Sequence, residues 1–190
     1  MTKKSKPTKI IGIDPGTTIL GYAIVQIQQP VNRIDALGVI RLNKYPDHYT
    51  KLKIIFEKLT FIINTHQPTE MAIEAPFFGK NVQSMLKLGR AQGVAITTAM
   101  LHQIPVTEYA PRKIKQSITG NGNASKEQIA AMLKGMLQLD RMPKYFDATD
   151  ALGVAICHHL QMKSPFYAFQ KGKKKMDWKS FLKENPDKIL

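Results

Sequence analysis

Two short apolar runs, each ending on a carboxylate, constrain this chain more than any other feature. Ile10-Ile11-Gly12-Ile13 leads directly into Asp14, and Met71-Ala72-Ile73 leads directly into Glu74. Brief apolar runs without polar alternation read as strands covered on both faces. Asp14 alone is explicable as a turn former before Pro15-Gly16. Glu74 is harder to explain alone, because an acid at the end of a buried strand rarely lacks a partner.

The pattern around these runs supplies the rest of the fold. Leu20 to Ile27 and Ile34 to Leu42 continue the β-type reading, with Pro15-Gly16 and Gln29-Pro30 as turns. From Lys51 to Thr65 the period changes, and Leu52, Ile55, Leu59, Ile62 and Ile63 recur at helical spacing. Asn81 to Gln103 reads as a long helix, Val106 to Tyr109 as a fifth strand, and Asp147 to Gln161 as the last helix. Between them, Ser125 and Gln128 make a capping-box pattern ahead of Ile129, Met132, Leu133 and Met136. The order β-β-β-α-β-α-β-α-α predicts an α/β fold, a five-stranded mixed sheet flanked by helices. A right-handed crossover through the Lys51–Thr65 helix lays the Met71 strand parallel to an earlier one. If that neighbour is the first strand, Asp14 and Glu74 lie side by side at the carboxyl edge, where open α/β sheets bind ligands.

Asp147 and Asp150 are three apart on a helix and so share one face. Asp147 alone would serve as a helix N-cap. Taken together, four carboxylates converging on one sheet edge favour a divalent-metal site, since clustered acids stay ionised most easily beside cations. Hard oxygen ligands select Mg²⁺ or Mn²⁺. Two such ions, about 3.5–4 Å apart, activate a water and stabilise a leaving 3′-oxygen. The chemistry expected is phosphodiester hydrolysis.

Charge points the same way. The formal net charge is +14, from 28 Lys+Arg against 14 Asp+Glu, and it is spread over both ends and the body of the chain. A surplus distributed in this manner suits a polyanion, because each cation at a phosphate releases condensed counterions. Nucleic acid is favoured over an anionic membrane, as no long basic amphipathic helix is present. One cysteine, Cys157, excludes an internal disulfide framework. With no apolar run near the roughly 18 residues of a membrane span, and no signal peptide expected behind the basic start, the expected location is the cytoplasm.

The segments IIGIDPGTTILGYAIV (residues 10–25), AIEAPFFGKN (72–81), LKLGRAQGVAI (86–96), EYAPRKIKQSITGNGNASKEQ (108–128) and DATDALGVAICH (147–158) resemble the RuvC-type Holliday junction resolvases. The resemblance spans nearly all of residues 10–161. It implies a ribonuclease H-like fold and a metal-dependent, dimeric endonuclease that nicks opposite strands of a four-way DNA junction. It carries the catalytic and metal-binding carboxylates onto Asp14, Glu74, Asp147 and Asp150, with two Mg²⁺ ions per site and Mn²⁺ as a substitute. Position 147 is an Asp here where some relatives place a His. The family's junction-stacking aromatic falls on Phe77, and its DNA-binding basic residues fall on Lys115 and Lys126. Lys113 and Arg112 are further DNA-binding candidates beside them. Contact with a RuvA-RuvB type branch-migration complex is implied by the family.

Three domains of unequal character are expected: a basic arm at 1–9, the nuclease domain at 10–162 and a lysine-rich tail at 163–190. A homodimer would supply a second acidic cluster, and the Asn81–Gln103 helix is the expected interface. Gly89, Ala91, Gly93 and Ala95 would allow close approach there, with Met85, Leu88 and Ile96 as apolar contacts. His158 and His159 read as core or surface residues rather than ligands, and Cys157 as a small buried apolar residue rather than a nucleophile. The competing readings are a ribonuclease H-like nuclease acting on structured RNA precursors, an actin-like ATPase suggested by GIDPGTT, and a non-catalytic DNA-binding module. The ATPase needs two such subdomains and a second phosphate loop, and 190 residues hold only one.

Overall fold

The computed structural model describes residues 7–28, 31–76, 81–141 and 145–163. They form β1 (Lys9–Asp14), β2 (Ile19–Gln26), β3 (Arg33–Arg41), α1 (His48–His66), β4 (Glu70–Glu74), α2 (Val82–Leu101), β5 (Val106–Tyr109), α3 (Pro111–Thr119), α4 (Lys126–Met136) and α5 (Phe146–Met162). The described residues up to His159 make one compact unit. Of the tail expected from 163 onward, only Lys163 falls among the described residues, as do only residues 7–9 of the basic arm.

The sheet is mixed, as the element order predicts. Its strands run β3-β2-β1-β4-β5. β2 is antiparallel to both β1 and β3, while β1, β4 and β5 are mutually parallel. The crossover through α1 therefore brings β4 beside β1, with Gly12 opposite Ala72 and Ile13 opposite Ile73. Asp14 and Glu74 terminate adjacent parallel strands.

Period-two alternation sorts the side chains onto two faces. Ile11 and Ile13 of β1, Leu20 and Ile24 of β2, and Met71 and Ile73 of β4 join the core formed with α1 and α2. The opposite face receives α5 at very short range. A Cβ at Gly12 would overlap the Ala151 carbonyl oxygen, and one at Gly21 would overlap that of Asp147. Only glycine permits a helix backbone to lie so close to the sheet. That close fit sets where the first turns of α5 sit relative to β1.

Helix starts are fixed by their caps. Asp47 accepts from Thr50 N–H at 2.9 Å at the head of α1, and Asn81 accepts from Ser84 N–H at 3.0 Å at the head of α2. The Ser125–Gln128 capping box forms at α4 as its sequence predicts.

Two readings of the sequence need correction. First, α3 is an additional helix. It has nine residues and one apolar repeat, Ile114 and Ile118, so its polar composition outweighed its period. Second, the small residues of α2 do not share one face. Ala91, Ala95 and Ala99 are buried against the sheet, whereas a Cβ at Gly89 or Gly93 would meet nothing within 4 Å. Residues two apart on a helix are about 200° apart, so the alanines and glycines form opposite stripes. Ile96, expected at an interface, packs against the sheet core. Among the described residues, no helix is long and apolar enough to cross a membrane.

Candidate active site

Asp14 and Glu74 reach the carboxyl edge on the α5 side of the sheet. α5 brings Asp147 and Asp150 to the same place, because a spacing of three keeps both on one helix face. All four acids line a single cavity of about 250 Å³, together with Pro111, Ile114, Lys115, Lys126 and Ile129. Thus α3 and α4 form its remaining wall, and Ile114 and Ile129 give that wall an apolar part.

Crowding of the acids is visible in their protonation. The Asp14 carboxyl is pushed up to about 8, first by burial and then by repulsion from Glu74, Asp150 and Asp147. Glu74 is pushed up to about 7, again by burial first and then by Asp150. Lys126 opposes both displacements, and Lys115 opposes that of Glu74. Near neutral pH, without a cation, Asp14 therefore keeps its proton and Glu74 is only partly ionised.

The two lysines carried over from the resemblance both face this cavity. Lys126 Nζ donates to Asp150 Oδ2 at 2.7 Å. Lys115 Nζ donates to the Ala124 carbonyl at 3.0 Å and so ties α3 to the segment leading into α4. Arg112 and Lys113 are exposed on α3 and do not line the cavity. Phe77 lies outside the described residues.

Among the described residues, no three His, Cys, Asp or Glu side chains are gathered closely enough to hold one ion. What unites the four acids here is the cavity, not a coordination shell. The donor set nevertheless suits a hard divalent cation: four carboxylates line the cavity, with no thiol or imidazole among its described lining residues. A cation is also what the raised Asp14 and Glu74 carboxyls need in order to ionise at neutral pH.

Supporting polar residues escaped the sequence reading. Gln92, buried on α2, donates to Glu108 Oε2 at 2.7 Å and to the Glu74 carbonyl at 3.4 Å. Its signal was a polar residue inside the Ala91–Ala95 stripe. His158 is fully buried, with Nδ1 2.8 Å from the Tyr109 hydroxyl, in keeping with its expected core role. Cys157 is buried too, and burial raises its thiol above the ordinary range.

An acidic cavity at the edge of a mixed five-stranded sheet, in a basic chain, defines a nuclease of ribonuclease H-like architecture. Comparison with known proteins narrows the class. The family model for "Crossover junction endodeoxyribonuclease RuvC" matches residues 10–158, and the chain belongs to that family. A crossover junction endodeoxyribonuclease RuvC of Cytophaga hutchinsonii is 54% identical over 196 residues, covering 100% of this chain and 94% of that protein. Its Bacteroides fragilis counterpart is 52% identical over 191 residues, covering 100% of both. Among solved structures, T. thermophilus RuvC in complex with Holliday junction substrate superposes with a TM-score of 0.78 at 28% identity, covering 82% of this chain and 95% of that one. A yeast mitochondrial Holliday junction resolvase shares the fold, with a TM-score of 0.63 at 10% identity, covering 89% of this chain and 87% of that one. These relatives do not favour the RNA-processing reading.

Proposed function

We propose that this chain resolves four-way DNA junctions by paired, symmetric phosphodiester hydrolysis, with Asp14, Glu74, Asp147 and Asp150 holding two Mg²⁺ ions. The observation that carries this reading is the meeting of all four carboxylates in one cavity with Lys115 and Lys126. Bound there, such ions supply an activated water and charge neutralisation at a leaving 3′-oxygen, and Mn²⁺ serves as a substitute. The remaining work falls to the protein. Lys126 exchanges its bond with Asp150 for a phosphate oxygen of the substrate, and Lys115 adds a second positive charge beside it. The capped N-terminus of α4 adds backbone N–H groups that favour the same anion. Arg112 and Lys113, exposed on the adjoining helix, extend the basic surface toward flanking phosphates, and Phe77 stacks on a base near the junction centre.

Symmetric nicking needs two such cavities. The free stripe of α2 suits a two-fold pairing of copies, since Leu86 is 52% exposed and Met100 66% exposed. Between them Gly89 and Gly93 leave room for another backbone. The arm at 1–9 and the tail at 163–190 add nonspecific DNA affinity. A RuvA-RuvB type branch-migration complex would deliver the junction, and the protein would act in the cytoplasm, where its DNA lies. Purified protein with Mg²⁺, offered four-way, linear duplex and single-stranded DNA of equal length, is expected to cut the four-way substrate alone into nicked duplexes. Equal cutting of the linear duplex would defeat this reading.

A further inference from the structure

A second cavity, this one basic and of about 400 Å³, opens between the end of β3 and α1. Three cations line it, Arg41, Lys44 and Lys58, along with three aromatic residues, Tyr22, Tyr45 and Phe61. No carboxylate is among its described lining residues. Lys44 Nζ stands 5.2 Å from the Tyr45 ring centroid, and Phe61 is 67% exposed. An exposed ring beside several cations is how proteins take up nucleotides of a flexible strand, the base on the aromatic and the phosphate on a cation. Tyr22 and Tyr45 also pack against the core, but Phe61 stands exposed beside three cations whose charge no described lining residue balances.

Its position ties it to the acidic cavity. β3 runs parallel to β1 through their shared neighbour β2, so Arg41 and Asp14 end at the same edge of the sheet. Gly21 of β2 is in register with both Asp14 and Val39, which places this cavity level with the acids. Two strand spacings, about 10 Å, separate β3 from β1 across the sheet. Although Tyr22 lies on the α1 side of the sheet and the acids on the α5 side, Arg41 bridges the edge between them. Its Nη2 donates to the Tyr145 hydroxyl at 2.8 Å, and its guanidinium lies 5.2 Å from that ring, immediately before α5.

We infer that the β3–α1 cavity is a second DNA contact, accepting one nucleotide of a strand that leaves the acidic cavity, its phosphate on Lys44 and Lys58 and its base against Phe61. The inference rests on the junction-cutting reading above for the identity of that strand. The test is binding of a fluorescent four-way junction, without divalent cation, over a series of salt concentrations. Lys44→Glu and Lys58→Glu should each weaken binding about threefold to tenfold and flatten log K against log salt by about one unit. Phe61→Ala should weaken it about fivefold or more with the slope unchanged. Lys134→Glu, an exposed cation of α4 outside both cavities, is the control for net charge. Thermal melting confirms that each variant is folded, and Lys44→Ala and Lys58→Ala replace any reversal that is not. Unchanged slopes for the two lysines, losses no larger than that of Lys134→Glu, or wild-type binding by Phe61→Ala would each overturn the assignment. Cutting of the junction by the wild-type protein tests the parent reading separately.

Discussion

Lys126 Nζ lies 2.7 Å from Asp150 Oδ2, so the first residue of α4 is bonded to an acid on α5. The bond is one of the few sources of positive charge against four clustered acids, and it holds the Lys126 amine above its ordinary range. Because Lys126 favours the ionised forms of Asp14 and Glu74, removing it should raise both carboxyls further. Lys126→Ala is therefore expected to shift the rising limb of the cleavage–pH profile to higher pH. It should also flatten the salt dependence of junction binding by about one unit, as should Lys115→Ala. A profile and slope identical to wild type would remove Lys126 from the site.

The same acids make a prediction about stability. In the metal-free fold Asp14 titrates near 8 and Glu74 near 7, against ordinary values of 3.8 and 4.5. A carboxyl raised on folding binds more protons in the native than in the unfolded state, so stability falls as pH rises between the two values. Metal-free protein should accordingly lose stability from about pH 4 to pH 8. Asp14→Asn removes the ionisable group and should raise stability at pH 8 by roughly 2–3 kcal/mol after screening by cavity water, or several degrees in melting temperature. Mg²⁺ should restore much of that loss to the wild type and little to Asp14→Asn. Calorimetric melts at pH 5 and pH 8, with and without EDTA, are the measurement. A flat profile would show that the acids are not mutually destabilising.

For the chemistry, each of Asp14→Asn, Glu74→Gln, Asp147→Asn and Asp150→Asn should abolish nearly all cleavage while leaving junction affinity intact or improved. Loss of a carboxylate removes a metal donor and also a negative charge that repels phosphate. Gel-based nicking and binding on the same preparations check both halves. Near-normal turnover of Asp147→Asn in Mg²⁺ would sink its role as a ligand.

Much of this site was legible because strand ends and helix faces are local properties. The apolar runs put Asp14 and Glu74 at strand ends, and a spacing of three put Asp147 and Asp150 on one helix face, while the place of that helix is set by its fit on Gly12 and Gly21. Pairing β1 with β4 then needed only the crossover through α1. What stayed hidden depends on three-dimensional context. α3 carries a helix signature in its ends, Pro111 at the first position and Gly120 at φ 77 after the last turn. Between those ends two isoleucines among lysines, Gln and Ser gave too little period to register. The Lys126–Asp150 bond joins residues 24 apart on different helices, which no spacing rule encodes. In α2, a list of small residues concealed two opposed stripes until the helical angle was applied.

The glycines beneath α5 provide a further test. Gly21→Ala would drive a methyl group into the Asp147 carbonyl oxygen, and Gly12→Ala into that of Ala151. Backbone of a packed helix cannot yield as a flexible side chain does, so each change should cost on the order of 2–4 kcal/mol. Because α5 carries Asp147 and Asp150, cleavage should fall further than stability alone explains, even well below the melting temperature. Thermal melts paired with single-turnover nicking would show this. Full activity in a destabilised Gly21→Ala would mean that α5 position and catalysis are uncoupled.

Assembly is tested at Gly93, which sits on the open stripe of α2 beside a largely apolar groove lined by Leu52, Phe56, Arg90 and Val94. Within one copy this position is permissive, since a Cβ there meets nothing within 4 Å. Gly93→Ala should therefore leave the single chain folded and about 1 kcal/mol more stable, from helix propensity alone. Gly93→Glu should likewise fold, yet it would bury a charge if a second copy packs its own α2 on this stripe. The expected result is a Gly93→Glu monomer that still binds a junction but nicks only one strand per encounter, uncoupling the paired cuts. Sedimentation velocity gives the assembly state, and a supercoiled cruciform plasmid distinguishes single from paired nicks. A wild-type chain that sediments as a monomer at micromolar concentration, with one copy bound per junction during cleavage, would refute the two-fold assembly.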